Sequence, residues 1–251
     1  MNFENKSVII TGAAQGIGFE IAKELIERGA RVVLNDVDSN LGQQAQQQLG
    51  DHCVFIPGDA GDLKLIDQLI DTTFETFGTL DFAIANAGIT TFGPFLEYQE
   101  DAFQQLINLN IKGTFFLCQR VAKALIEQKK RGKIILLSST TGQKPHDELE
   151  AYGMTKAAIA FMAKSLGTQL APKGINVNCI SPGATATERT MSQPDYEEGW
   201  DRIIPTRRIS RTTDIAAAAL FLLSEGADQI TGQNIIVDGG WVNLGPMPDA
   251  I

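Results

Sequence analysis

Histidine and cysteine are scarce in this chain, which carries two of the first and three of the second among 251 residues. Cys53, Cys118 and Cys179 are odd in number and widely separated, with no Cys-x-x-Cys and no neighbouring histidine. That spacing leaves no metal site, and all three are expected to be buried apolar fillers. Long hydrophobic runs are also missing: no stretch approaches membrane-spanning length. The opening Met1-Asn2-Phe3-Glu4-Asn5-Lys6-Ser7 leads straight toward a strand without the apolar core of a signal peptide, so a cytoplasmic protein is expected. Basic residues are outnumbered, 21 Lys and Arg against 30 Asp and Glu, and the net charge of -9 argues against nucleic acid or an anionic membrane as partner. No composition break, low-complexity run or Pro/Ser-rich linker divides the chain, so residues 1–251 are expected to form a single domain.

What the chain does have is 43% hydrophobic residues, enough for a full core. They fall into short β-branched runs alternating with longer amphipathic stretches, the rhythm of a parallel α/β sheet. Strands are expected at Ser7–Thr11, Arg31–Asp36, His52–Gly58, Phe82–Asn86, Gly132–Ser138, Asn176–Ser181 and Gln233–Val237. Helical periodicity is clearest in Gly18–Arg28, Leu63–Phe77, Phe103–Gln128, Ala151–Leu170 and Thr213–Leu223. The glutamine-rich stretch Gln43–Gln48 reads as a solvated helix face. The pattern as a whole predicts an α/β fold, a Rossmann-type doubly wound sheet of about seven parallel strands with helices on both faces.

Between the first strand and the first helix lies Thr11-Gly-Ala-Ala-Gln-Gly-Ile-Gly18. A diphosphate needs backbone N–H donors and a helix N-terminus aimed at it, and glycine where a β-carbon would block the approach. Gly12, Gly16 and Gly18 supply that opening with the spacing Gly-x-x-x-Gly-x-Gly, which departs from Gly-x-Gly-x-x-Gly. Eighteen residues after Gly18 the second strand ends in Asp36. An acidic side chain there accepts both ribose hydroxyls of an adenosine and repels a 2'-phosphate. The loop offers Ala14 and Gln15 where a phosphate-binding cation would be useful, so the expected cofactor is NAD rather than NADP, with Asp38 close enough to share the role.

Far downstream, Tyr152-Gly-Met-Thr-Lys156 pairs a phenol with an amine at i+4. A free phenol titrates near pH ~10, and an ammonium one helical turn away favours the phenolate. Together and in this order, the glycine loop and this pair point to hydride transfer. With Asn86-Ala87-Gly88 after the fourth strand, Asn110-Ile-Lys-Gly113 in a long helix, Ser138-Ser139, Ser181-Pro182-Gly183 and the closing Val237-Asp-Gly-Gly240, the chain resembles the short-chain dehydrogenase/reductase family from Lys6 to Gly240.

The resemblance implies a role for each matching position. Tyr152 is the acid/base, and Lys156 assists it and binds the nicotinamide ribose. Ser139, thirteen residues before Tyr152, holds the substrate oxygen, with Ser138 as the alternative. Asn110 binds a water through its backbone or side chain and continues a proton relay from the lysine to solvent; Asn108 is close but lacks the Asn-x-x-Gly spacing. Further cofactor contacts are implied for Gln15 and Ile17 in the first loop, for Asp59 and Ala60 at the adenine edge, and for Asn86, Ala87 and Gly88 near the adenosine ribose. Pro182, Gly183, Thr185 and Thr187 are implied above the site, Thr187 having the better spacing. No metal is expected.

The substrate is read from the segments around that site. Thr140, Thr141, Gln143, Lys144, His146, Asp147, Glu148 and Glu150 make a polar stretch expected to rim the pocket, which suits a hydroxyl-rich substrate better than a steroid or long acyl chain. Residues 184–210, with Met191, Tyr196, Trp200 and Arg207-Arg208, are the expected lid. The extension 241–251, with Pro246 and Pro248, is expected to reach a neighbouring subunit, since many members of the family are tetramers; a homotetramer, or a homodimer, is the expected assembly. The small-molecule substrate expected is a sugar or polyol. The alternative is a 3-oxoacyl thioester, whose carrier could dock on Lys129-Lys130-Arg131 and Lys173. A non-catalytic NAD-binding redox sensor is the reading from another class, against which stands the intact set Asn110, Ser139, Tyr152 and Lys156.

Overall fold

The computed structural model describes residues 1–245 of the protein. Strands form where branched side chains cluster, because these pack well on a pleated surface: β1 (Ser7–Thr11), β2 (Arg31–Asp36), β3 (Cys53–Pro57), β4 (Phe82–Ala85), β5 (Gly132–Leu137) and β6 (Ile175–Pro182). Two short strands follow, β7 (Thr185–Ala186) and β8 (Ser210–Arg211), and then β9 (Asn234–Val237). Seven of them pair in parallel in the order β3-β2-β1-β4-β5-β6-β9. The chain starts in the middle, runs out to β3 and returns to β4 on the other side of β1. Such a reversal opens a crevice at the carboxyl ends of the strands.

Helices cover both faces: α1 (Gly16–Ile26), α2 (Ser39–Leu49), α3 (Leu63–Phe77), α4 (Glu100–Leu106), α5 (Thr114–Glu127), α6 (Glu150–Leu170), α7 (Glu188–Met191), α8 (Tyr196–Asp201) and α9 (Thr212–Leu223). Successive strand residues point to opposite faces, so each strand feeds two cores. Val8, Ile10, Val32 and Leu34 pack with Ile21 and Leu25 of α1 and with Ile215 and Leu220 of α9. Ile9, Val33 and Ile134 pack on the other side with Ile66 and Leu69 of α3, Val121 of α5 and Ile159 of α6. This double burial makes the strands read as continuous apolar runs. Ile9 and Ile10 are both 0% exposed, and each contributes about 1.5–3 kcal/mol by leaving water.

Every expected strand is present within one residue at each end. The glutamines Gln43–Gln48 lie on α2 and are exposed, while Cys53, Cys118 and Cys179 are all buried. Two expected helices differ: Gly18–Arg28 lies two residues earlier, at Gly16–Ile26, and the long one is interrupted. Phe103–Gln128 begins earlier, at Glu100, and is interrupted by a wide π-helical turn at Ile107–Gly113 between α4 and α5. Such turns carry an extra residue and are frequent at functional sites. Residues 184–210 leave β6 and return to the same place, because β7 and β8 pair with each other and pin the two ends together. No helix among the described residues is long and apolar enough to cross a membrane.

Candidate active site

The loop after β1 is held rigidly against its neighbours. Gly12 (φ 61) and Gly16 (φ 64) adopt left-handed backbone, which glycine takes without a steric penalty. A β-carbon on Gly12 would stand 2.7 Å from Ala87 Cα, and one on Gly18 2.6 Å from Asn86 Nδ2. Asn86 Nδ2 donates to the carbonyls of Thr11 (3.0 Å) and Gly12 (2.6 Å), so this side chain clamps the glycine loop to the end of β4. The Asp36 carboxylate accepts from the backbone N–H groups of Ala14 (3.0 Å) and Asp38 (3.1 Å), fixing its orientation at the end of β2.

The start of α1 suits an anion. Asp38 caps α2 and Asp62 caps α3 with their side chains, whereas Gln15 at the N-terminus of α1 makes no side-chain cap and the first turn holds no acidic residue. The first N–H groups of that helix are therefore left for another partner. A β-carbon built on Gly16 would meet only ordinary van der Waals contacts, Thr187 Cγ2 at 3.6 Å and Glu188 Oε2 at 3.7 Å, so no clash closes the approach to its backbone. These residues fit a dinucleotide diphosphate.

A cavity of about 560 Å³ opens beside this loop. Ile17, Asn86, Gly88, Ser139, Tyr152, Lys156, Pro182, Gly183, Thr185 and Thr187 from the expected set line it. Gly12, Gln15, Gly16, Gly18, Asp36 and Ala87 do not form its wall; they lie at the ends of β1, β2 and β4 on the same edge of the sheet. Asp59 and Ala60 follow β3 on that edge. Asp59 Oδ1 accepts from Gly61 N (2.8 Å), and the Ala60 carbonyl packs 2.6 Å from where Gly113 would carry a β-carbon.

Tyr152 and Lys156 face the cavity from α6. The Lys156 ammonium is buried, donates to the Leu137 carbonyl (2.9 Å) and lies 5.6 Å from the centre of the Tyr152 ring. Gly88 makes room for it, since a β-carbon there would stand 3.3 Å from Lys156 Nζ and 3.2 Å from Asn110 Oδ1. The two serines divide their tasks. Both line the cavity, but Ser138 Oγ is committed to the Lys156 carbonyl, to which it donates (2.6 Å), whereas Ser139 Oγ accepts from Thr141 N (3.1 Å).

Asn110 sits in the π turn with its side chain fully engaged. Its Oδ1 accepts from Ile89 N (2.9 Å), and its Nδ2 donates to the Ile89 carbonyl (3.0 Å) and to Thr155 Oγ1 (3.1 Å). Thr155 in turn donates to the Tyr152 carbonyl (2.8 Å). Sequence reasoning missed Thr155, although it lies inside the Tyr152–Lys156 pentad. This bridge joins the asparagine to the helix turn that carries the tyrosine.

The substrate end differs from expectation in one respect. Thr140, Thr141 and His146 reach the cavity, but Gln143, Lys144, Asp147, Glu148 and Glu150 do not. The rim is polar without being acidic, because that strand-to-helix connection turns its carboxylates away. Lys144 instead donates to the carbonyls of Trp241 (3.3 Å) and Leu244 (2.8 Å) and lies 4.6 Å over the Trp241 ring. Trp241 meets Trp200 edge to face at 5.1 Å, and Tyr196 lies 6.3 Å from Trp200; all three line the cavity. Burial raises the Tyr196 phenol above its ordinary value, against a hydrogen bond from the Thr185 backbone and the Arg189 guanidinium that lower it. A separate, shallower depression of about 830 Å³ runs over the outer face of Met191–Arg207 and holds none of the motif residues. Trp241, Arg189 and Thr90 were missed as lining residues. An aromatic directly after the closing Gly-Gly was a signal for Trp241; Arg189 had none. Pro246 and Pro248 of the extension lie outside the described residues.

A parallel sheet with a dinucleotide cradle at its switch point, feeding a cavity with a Ser/Tyr/Lys set, defines an oxidoreductase that works with a nicotinamide cofactor. The chain belongs to the short-chain dehydrogenase/reductase family. A family model described as enoyl-(acyl carrier protein) reductase matches residues 12–242. The chain is 36% identical to an uncharacterized oxidoreductase of Thermotoga maritima, covering 96% of this chain and 98% of that one. It is 31% identical to a sorbitol dehydrogenase of Cereibacter sphaeroides, over 97% and 100% of the two chains. Among solved structures, a 3-ketoacyl-(acyl-carrier-protein) reductase of Brucella melitensis complexed with NADH superposes with a TM-score of 0.90 at 27% identity, over 96% of this chain and 100% of that one.

Proposed function

We propose that the protein is an NAD(H)-dependent dehydrogenase interconverting a secondary alcohol, or a sugar hemiacetal, and a carbonyl on a sugar or polyol, in the manner of a glucose 1-dehydrogenase. The observation that carries this reading is the make-up of the cavity: Ser139, Tyr152 and Lys156 face Thr90, Thr141, His146 and Gln193, with Trp200 and Trp241 as an aromatic wall. Hydroxyls and amides match a hydroxyl-rich substrate, and aromatic faces suit the C–H face of a sugar. The sorbitol dehydrogenase among the relatives is consistent with it.

NAD is preferred over NADP on the strength of Asp36, whose two oxygens are already oriented by backbone N–H groups and retain lone pairs for ribose hydroxyls. Gly12, Gln15, Gly16, Ile17 and Gly18 would hold the diphosphate, Asp59, Ala60, Asn86, Ala87 and Gly88 would flank the adenosine side, and Pro182, Gly183, Thr185 and Thr187 would close over the nicotinamide. When bound, NAD supplies a hydride acceptor for the alcohol carbon, and NADH a hydride donor in the reverse direction.

The residues of this chain then handle the proton. Ser139 Oγ holds the substrate oxygen, and the Tyr152 side-chain oxygen is the acid/base that exchanges the proton with it as hydride leaves or reaches the carbon. Lys156, held by the Leu137 carbonyl, places its amine beside the phenol. Because the Asn110 side chain is committed to Ile89 and Thr155, its main-chain carbonyl in the π turn is the group left to hold a relay water.

Residues 184–210 act as the lid. The exposed Phe115 on α5, Phe161 on α6 and Phe221 on α9 support a homotetramer, and three unpaired cysteines suit the cytoplasm. A second reading, reduction of a 3-oxoacyl thioester, is favoured by the ketoacyl reductase among the solved structures. Nicotinamide absorbance decides between them. NAD reduction with an aldose or polyol supports the first, and turnover of acetoacetyl thioester alone replaces it with the second. Tight cofactor binding with no turnover of any substrate would favour a redox sensor.

A further inference from the structure

The cavity is unusual for so acidic a chain. The sequence has 30 Asp and Glu residues, yet among the described residues none lines it. Its two permanent cations are Lys156 and Arg189. Lys156 is engaged with the Leu137 carbonyl and faces the Tyr152 ring. Arg189 forms no ion pair with any described residue. A guanidinium lining a cavity without a carboxylate lacks a planar, bidentate anion.

We propose that Arg189 receives a carboxylate on the substrate, so that the sugar or polyol oxidised at Tyr152 is a polyhydroxy acid rather than a neutral sugar. This inference rests on reading the site as a polyol dehydrogenase. The same guanidinium chemistry would also suit the cofactor diphosphate, and the geometry favours the substrate. On α7, Glu188 faces the glycine loop, its Oε2 lying 3.7 Å from the β-carbon position of Gly16. The next residue along a helix points roughly 100° away, which turns Arg189 from the diphosphate cradle toward Tyr196. Tyr196 lines the cavity together with Arg189 and Tyr152, so the lid cation and the reacting centre share one space. Ser139, Tyr152, Arg189, Thr141, His146 and Gln193 all line the one cavity, so a single polyhydroxy acid would meet the reacting pair through a hydroxyl and Arg189 through its carboxylate.

The test compares gluconate with sorbitol, and galactonate with galactitol, each pair sharing a carbon chain and differing in whether its end is a carboxylate or a hydroxymethyl group. Both the NAD-dependent rate and the quenching of tryptophan fluorescence are followed, since Trp200 and Trp241, the two tryptophans, both line the cavity. At least one acid is expected to bind about three- to fivefold more tightly than its alditol, the upper range of an exposed ion pair. Arg189→Gln should erase that ratio and Arg189→Lys keep part of it. Equal affinities for acid and alditol, or a ratio unchanged in Arg189→Gln, would overturn the proposal. So would a variant that loses NAD affinity with the ratio intact, which would assign the cation to the diphosphate. Arg189-dependent binding of the acid with no oxidation of any polyol or acid would instead remove the dehydrogenase reading while leaving the anion site in place.

Discussion

Two segments cross the carboxyl edge of the same sheet, the loop after β1 and the long excursion after β6, and they are built in opposite ways. The first is short and held by its backbone: left-handed glycines, the Asn86 clamp and the Asp36 carboxylate leave it one conformation. The second is long, largely exposed, and held by side chains, with a two-residue β7–β8 ladder at its base and the Trp200–Trp241 contact near its tip. A diphosphate is the same in every reaction that uses a dinucleotide, so its receptor can be rigid and made of main chain. A substrate differs from enzyme to enzyme, and its receptor is made of side chains on a segment free to vary.

The largest effect expected from breaking this division is at the chemistry itself. Tyr152→Phe should lower kcat by about 10³-fold while the dissociation constant of NAD, measured by fluorescence, stays within twofold; substantial remaining turnover would assign the acid/base role elsewhere. Next comes Gly12→Ala, which forces a side chain into left-handed backbone 2.7 Å from Ala87 Cα. Thermal unfolding should register a loss of about 2–4 kcal/mol. Gly199→Ala in α8 is its counterpart in the lid, where a β-carbon meets nothing within 4 Å; it should be neutral or gain up to about 1 kcal/mol. Equal losses at the two glycines would erase the contrast between a rigid loop and a permissive lid.

Asp36→Ala should narrow the preference for NAD over NADP about tenfold, read from the ratio of kcat/KM values, and an unchanged ratio would remove Asp36 from cofactor selection. The smallest effect concerns the buried thiols. Burial raises Cys53 and Cys118 to about 12 and Cys179 to about 11 from an ordinary 9.0. Above pH 9 the unfolded chain gives up thiol protons that the native chain retains, so this contribution makes stability fall as pH rises toward 11–12. Native protein should not react with a thiol reagent at pH 8, and three thiols should appear on denaturation. Rapid labelling of native Cys53 would contradict its burial.

The fold was almost wholly legible in the sequence because buried parallel strands carry unbroken β-branched runs, and all seven fall within one residue of expectation. The helix around Asn110 was misread at its middle. A π turn leaves the apolar periodicity nearly intact, and what holds it open is a set of hydrogen bonds to Ile89 and Thr155, each distant in sequence. Ser139 and Ser138 could be ordered by spacing, but their division of labour follows from which hydroxyl is captured by the Lys156 carbonyl. The polar stretch before Tyr152 is expected to rim the pocket as a whole, whereas only Thr140, Thr141 and His146 of it line the cavity.

The sequence by itself determined the sheet, the glycine cradle, the acidic end of β2 and the Tyr/Lys pair. Each of these is a local constraint: a left-handed backbone, a period-two apolar run, a side chain one helical turn from another. Tertiary structure alone decided that Asn86 clamps the cradle, that Trp241 closes on Trp200, and that Arg189 faces a cavity lined by no carboxylate among the described residues. Those outcomes depend on which distant segments meet at the edge of the sheet, and no spacing along the chain encodes the direction in which an irregular segment turns its side chains.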